Sequence, residues 1–112
     1  MKIIEKPWGR EIWVAVTDQY VLKIIEFKQG SRSSLQYHRQ KHEHIYIDHG
    51  RVRFELEQAD GTILADEYKP GSVIEVIPGR KHRVEALEDT RLLEVSTPQL
   101  DDVVRVEDDY GR

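Results

Sequence analysis

The chain has 112 residues, with 17 Lys and Arg against 21 Asp and Glu, a formal net charge of −4 and no cysteine. That length suits one domain able to bury a single core without staples, and the missing thiol excludes disulfide frameworks, cysteine-based zinc sites and thiol catalysis. The mildly acidic total argues against nucleic acid as a partner, and the longest apolar run, Ile12 to Val16, is too short to span a membrane.

Met1 to Glu5 has none of the features of a signal peptide, so a cytoplasmic location is expected. Further along, short segments rich in β-branched and aromatic residues stand between turn residues. They run over Glu11 to Val16, Tyr20 to Phe27, His44 to Asp48, Arg51 to Gln58, Thr62 to Tyr68, Ser72 to Ile77, Arg83 to Leu87 and Arg91 to Ser96. No stretch shows convincing helical periodicity. Arg51 to Glu57 alternates strictly, three apolar side chains on one face and four charged ones on the other, as a half-buried antiparallel strand does. Asp60-Gly61 signals a two-residue hairpin of type I′, and Lys69-Pro70-Gly71 and Pro78-Gly79 mark the next two connections. Eight short strands at regular spacing predict an all-β sandwich or barrel, and at this size a jelly roll. One domain spans residues 1–112, with 98–112 as a C-terminal tail packing on the barrel and Leu100 to Val106 expected as a turn or short helix. Five acids and two bases between Asp101 and Arg112 place most of the negative charge in that tail, as a solvated end would have it.

Four of the five histidines, His38, His42, His44 and His49, are crowded together, and the fifth is His82. Gln36 and His38 are two apart and share a face if extended. Glu43 begins the next strand and can bring a carboxylate to the same space, while His82 follows a tight turn. An amide oxygen, two imidazoles and a carboxylate suit zinc, manganese, iron(II), nickel or cobalt and leave positions open for substrate. Only proximity speaks for His42, His44 and His49 as ligands. Arg32 and Ser34 precede Gln36 at even spacing and face the same pocket if the strand is continuous. Arg80, Lys81 and Arg83 form a basic run beside His82 and are candidates for phosphate. Trp8 and Trp13 are expected in the core or at a dimer contact.

The segment from Gly30 to Gly50 resembles the first cupin motif: glycine, five residues, His-x-His, four residues, Glu, six residues, glycine, with Gln36 in place of the first histidine. The segment from Gly71 to Ala86 resembles the second motif in Gly71, Gly79 and His82; the proline is shifted to Pro78 and Ala86 replaces the closing asparagine. Glu5-Lys6-Pro7-Trp8-Gly9, Ser34-Leu35-Gln36-x-His38, Lys81-His82-Arg83 and the run Val103 to Arg112 narrow the likeness to the type II phosphomannose isomerase domain. The resemblance implies a double-stranded β-helix, the cupin jelly-roll barrel. It also implies one divalent ion, zinc first, held by Gln36, His38, Glu43 and His82, and a homodimer. In that family the domain commonly ends a bifunctional enzyme whose other half is a mannose-1-phosphate guanylyltransferase. The present length has no room for that half, so an isomerase domain standing alone is expected. Where the family reads His-His-Arg-Ala-Glu-His, this chain reads Arg39-Gln40-Lys41-His42-Glu43-His44, which keeps the arginine's charge at Lys41 and loses its fork.

The expected activity is metal-dependent aldose-ketose isomerisation of a sugar phosphate, mannose 6-phosphate to fructose 6-phosphate. Lys41, His44 and a metal-bound hydroxide are the candidate bases, and Arg32, Ser34, Arg80, Lys81 and Arg83 the substrate-binding residues. The competing readings are a cupin that binds a metal and a sugar phosphate without isomerising it, and a metal-dependent dioxygenase.

Overall fold

A computed structural model describes residues 1–112 as eleven strands with no helix: β1 (Lys2–Lys6), β2 (Gly9–Val16), β3 (Val21–Phe27), β4 (Leu35–Tyr37), β5 (Glu43–His49), β6 (Val52–Glu57), β7 (Ile63–Tyr68), β8 (Val73–Val76), β9 (His82–Ala86), β10 (Thr90–Ser96) and β11 (Val104–Glu107). They form a six-stranded sheet in the order β1-β2-β3-β10-β5-β8 and a five-stranded sheet in the order β11-β4-β9-β6-β7. Every pairing is antiparallel, and the two sheets fold over one another as a cupin jelly-roll barrel. No helix is present that is long and apolar enough to cross a membrane.

All eight expected strands are found, with ends shifted by a residue or two, and three more join them. The segment expected as a turn or helix, Leu100 to Val106, begins with the turn, at Leu100 and Asp101, and then runs into β11. Val104 and Arg105 there pair with Tyr37 and Gln36 on the open edge of β4. Bonding to that edge outweighs the segment's weak local preference. The Asp60-Gly61 connection also differs from expectation. Only Gly61 has a positive φ, and the loop is longer than a type I′ turn, closed by Gly61 N–H donating to Gln58 O and Gln58 N–H donating to Thr62 O. The Asp60 carboxylate accepts from Thr62 N–H and Oγ–H at 3.0 and 2.7 Å, a local bond that holds Asp60 out of the left-handed region.

Strand alternation sets what faces inward, and the interior is graded. At one end Phe27, Ile47, Val52, Phe54, Ala86 and Leu92 pack into the apolar core, with Trp8 stacked on Phe27 at 4.0 Å between ring centres. Toward the other end the inward positions turn polar. In β3 and β10 the inward neighbours Ile25 and Leu92 stand two residues from Lys23 and Glu94, which are cross-strand partners. In β5, inward Ile47 and Ile45 give way to Glu43. The barrel thus holds an apolar floor and a charged upper half, and the candidate site lies in that upper half. Gly50, which closes the first motif, has φ +86, and a Cβ there would stand 2.3 Å from Asp89 O, so the tight connection between β5 and β6 needs glycine.

Candidate metal centre

Gln36 and His82 are Cα partners across β4 and β9 of the five-stranded sheet. Glu43 reaches the same space from β5 of the facing sheet, and His38 comes from the loop between. His38, Glu43 and His82 are all buried, and their candidate ligand atoms lie within 4.8 Å of one another. Glu43 Oε1 is 3.4 Å from His82 Nε2 and 3.8 Å from His38 Nε2. Gln36 lines the same cavity, its Oε1 accepting a hydrogen bond of 2.7 Å from Ser34 Oγ.

Both imidazoles are tied to backbone carbonyls through Nδ1, His38 to Asp102 O at 2.5 Å and His82 to Arg80 O at 3.0 Å. A carbonyl only accepts, so a neutral ring carries its hydrogen on Nδ1 and offers the Nε2 lone pair toward Glu43. His38 Nε2 is buried and has no hydrogen-bond partner. Such an atom costs about 1–3 kcal/mol unless something satisfies it. Two imidazole nitrogens, a carboxylate and an amide oxygen converging without thiolate fit a divalent ion of the zinc-to-manganese range. Burial opposes ionisation of Glu43, but the closeness of the two imidazoles and the charge on Lys41 outweigh it. The carboxyl is held well below its ordinary range.

Lys41 stands behind Glu43, its Nζ 3.0 Å from Glu43 Oε2 and 3.1 Å from Glu94 Oε2. Burial favours the neutral amine, yet Glu94 and Glu43 outweigh burial and raise the pKa, so the ammonium keeps its proton. Lys41 is therefore no general base; it fixes the two carboxylates. Glu94 is buried at the cavity wall, its carboxyl pushed up to about 7 by burial and by the charge of Glu43, against the pull of Lys41 and Lys23. Lys23 in turn lies 3.3 Å from Glu11 Oε1 and against the face of the Trp13 ring. A cavity of about 360 Å³ opens over this row, lined by Lys6, Trp13 and Arg105 as well as by the centre itself. Neither Lys6 nor Arg105 has an ion-pair partner.

Several expected site residues lie elsewhere. His44 alternates with Glu43 on β5 and faces the outside of the barrel, where its Nε2 is 3.5 Å from Glu75, so it cannot act as base in the cavity. Arg32 is not on a continuous strand with Gln36; it makes one isolated bridge to Glu85 and turns its guanidinium to Asp109 at 2.5 and 2.8 Å. Ser34 is fully buried and orients Gln36 rather than meeting substrate. In the basic run, Arg80 donates to Glu57 O at 3.4 Å and Lys81 N–H to Glu57 Oε1 at 3.1 Å. Arg83, opposite in alternation to His82, donates to Ser33 O at 3.0 Å and Glu107 O at 3.3 Å. The two arginines are spent on the scaffold and the tail, Lys81 is bonded only through its backbone, and none of the three lines the cavity. Trp8 is in the core, while Trp13 lines the cavity.

The tail holds the first ligand in place. The Asp102 carboxylate accepts from the N–H groups of Arg39, Gln40 and Lys41 at 2.9, 2.7 and 2.9 Å, while its carbonyl takes His38 Nδ1–H. Those backbone bonds hold the Asp102 carboxyl below its ordinary value of 3.8. Gly79 N–H donates to His38 O at 2.7 Å, fastening the same loop from the second motif. Glu94, Lys23, Glu11, Arg105 and Asp102 were not among the sequence candidates. The inward register of Leu92, Glu94 and Ser96 is the signal that marks Glu94, and Asp102 has none.

An all-β barrel with a histidine-carboxylate cluster at one end of its interior defines a cupin. More narrowly, the chain belongs to the mannose-6-phosphate isomerase C-terminal family, whose model matches residues 2–108. In fold it is similar to KdgF from Halomonas sp., at 20% identity and TM-score 0.79 over 90% of this chain and 91% of that one. It is also similar to the oxalate decarboxylase of Bacillus subtilis, solved at pH 4.6, at 20% identity and TM-score 0.81 over 92% of this chain and 29% of that one. The oxalate decarboxylase of Lactobacillus farciminis, solved as a formate complex, gives 18% identity and TM-score 0.78 over 94% and 33%. The chain thus spans about a third of the decarboxylases' length. No curated protein matches it.

His38→Ala or His82→Ala is expected to abolish tight metal retention through gel filtration, measured by elemental analysis, whereas His49→Ala retains it; equal content in all three refutes the assignment. Asp102→Asn tests the tail. Because the folded pKa of Asp102 is lowered, its stabilisation is present above pH 3.8 and lost as pH falls through the lower folded value. Urea unfolding is expected to show a wild-type advantage of about 1–2 kcal/mol near neutrality that closes as the pH falls through the folded value; a pH-independent gap contradicts this.

Proposed function

We propose that the protein is a metal-dependent sugar-phosphate aldose-ketose isomerase, acting between mannose 6-phosphate and fructose 6-phosphate. The observation that carries the reading is one cavity that joins the candidate metal centre, a buried carboxylate outside it and two cations without acidic partners, in a chain of the mannose-6-phosphate isomerase C-terminal family. The reaction removes the proton alpha to a carbonyl, passes through an enediol and returns a proton to the neighbouring carbon. A divalent ion held by Gln36, His38, Glu43 and His82 would supply Lewis-acid polarisation of the substrate oxygens.

The chain's own residues supply the rest. Glu94 lines the cavity beside Glu43 and is not needed as a ligand, so its carboxylate is the candidate to take the proton from C2 and deliver it to C1. Lys41, 3.1 Å from Glu94 Oε2, holds that carboxylate in place. Trp13 adds apolar surface to the cavity wall. Arg105 and Lys6 offer charge for the phosphate. The reading as a binding cupin without turnover rests on Lys41, which replaces a forked side chain by a point charge already occupied by two carboxylates.

The direct test is conversion of mannose 6-phosphate to fructose 6-phosphate by protein loaded in turn with zinc, manganese, iron(II), nickel and cobalt. Glu94→Gln should cost roughly 10²–10⁴ in kcat while metal content is kept, and Arg105→Ala should raise KM about tenfold or more. Absence of turnover with every metal, with sugar phosphates still raising Tm, would select the binding reading. The homodimer forms part of the proposal; its support is the outer face of the six-stranded sheet, where Val73 and Val95 are exposed. Sedimentation as a monomer at micromolar concentration would remove it.

A further inference from the structure

We propose that His42, His44 and Glu75 form a second metal site, on the outer face of the barrel, for a borderline divalent cation such as zinc. Glu43 and His44 are neighbours on β5 and face opposite ways, so the strand that supplies the inner centre also presents an imidazole outside. His44 and Glu75 are Cα partners across β5 and β8. His42 lies just before β5, its backbone fixed to Thr97 by two hydrogen bonds of 3.0 Å, His42 N–H to Thr97 Oγ1 and Thr97 N–H to His42 O. The three ligand atoms lie within 4.8 Å of one another.

The geometry is close to what zinc asks for. Ligand atoms at the zinc distances of about 2.0–2.1 Å in a tetrahedron stand about 3.3 Å apart. Glu75 Oε2 is 3.5 Å from His44 Nε2 and 2.8 Å from His42 Nε2, so a shift of a few tenths of an ångström at exposed side-chain ends brings both into range. The two rings are 5.4 Å apart and inclined by 30°, with both Nε2 atoms turned to the same carboxylate. A hydrogen bond from His42 satisfies that carboxylate once, and His44 Nε2 makes none. A single cation accommodates both rings. Two imidazoles select zinc, nickel or copper(II) over magnesium or calcium, which prefer oxygen. The ligands sit on paired strands and a pinned backbone, so little ordering is lost on binding. Their exposure leaves the remaining positions to water and makes the ion exchangeable, unlike one in the enclosed centre.

The test is a zinc titration of tag-free protein by equilibrium dialysis, with magnesium in excess. Wild type should take up two ions per chain, and His44→Ala and Glu75→Ala one each, with unchanged Tm of the metal-free variants because the side chains are exposed. His82→Ala should also take up one, and the double variant His44→Ala, His82→Ala none. Uptake by wild type of a single ion that His44→Ala and Glu75→Ala retain would overturn the proposal, as would uptake of two ions undiminished in both. A single ion lost in His44→Ala but kept in His82→Ala would support this site and count instead against the inner centre.

Discussion

The upper half of the barrel depends on pairing charge that folding has taken out of water. Glu11, Lys23, Glu94, Lys41 and Glu43 stand in a line of alternating sign, linked by contacts of 3.3 Å between Lys23 and Glu11, 3.1 Å between Lys41 and Glu94, and 3.0 Å between Lys41 and Glu43. Lys23 and Glu94 close the line as partners across β3 and β10. Each of these ions alone would carry a penalty of several kcal/mol, and removing one member strands its neighbours. The line holds three acids and two lysines, and it ends on the carboxylate of Glu43 facing two imidazoles. That end is where a further cation completes the alternation, so the electrostatics of the whole row lead to the same place as the ligand geometry.

Surface charge does a different task. Arg32 holds Asp109, Arg83 holds Glu107, and Asp102 takes three backbone N–H groups from the loop that carries His38. Basic residues expected near a phosphate and acidic residues expected in solvent thus meet one another, and the acidic tail closes over the strand edge of β4. An exposed ion pair contributes little alone. Here the pairs act together with the β11 ladder, and their effect reaches the site because Asp102 fixes the ring orientation of His38.

What was legible in the sequence is what alternation and turn residues control. The strands from Glu11 to Ser96, the jelly roll and the convergence of Gln36, His38, Glu43 and His82 follow from period-two patterning and motif spacing. The short strand β4 and the tail strand β11 were not visible, because three or four residues give no period and both depend on an edge supplied by distant chain. Proximity alone makes His44 a candidate, and the alternation of adjacent strand residues turns it away from the side that Glu43 faces. Glu94 was readable in principle, since a glutamate in register with Leu92 and Ser96 must point inward. Asp102 was not, because its role depends on a loop that it meets only after folding, with Lys41 standing 61 positions earlier in the chain.

Lysine in place of arginine at position 41 makes sense in this setting. A guanidinium would present a planar fork to one partner, whereas the ammonium is a compact charge that serves Glu43 and Glu94 at nearly equal distances of 3.0 and 3.1 Å. Buried, and with its charge shared between two carboxylates, Lys41 is poorly placed to meet a phosphate. Anion recognition must then come from cations that the scaffold has not already used. Arg80 and Arg83 are engaged by Glu57, Ser33 and Glu107, and neither they nor Lys81 line the cavity. Lys6 and Arg105 remain, on strands β1 and β11 at the two sheet edges beside the cavity. The phosphate end of a substrate is therefore expected toward those edges, with its carbonyl end directed inward to Glu94 and the histidines.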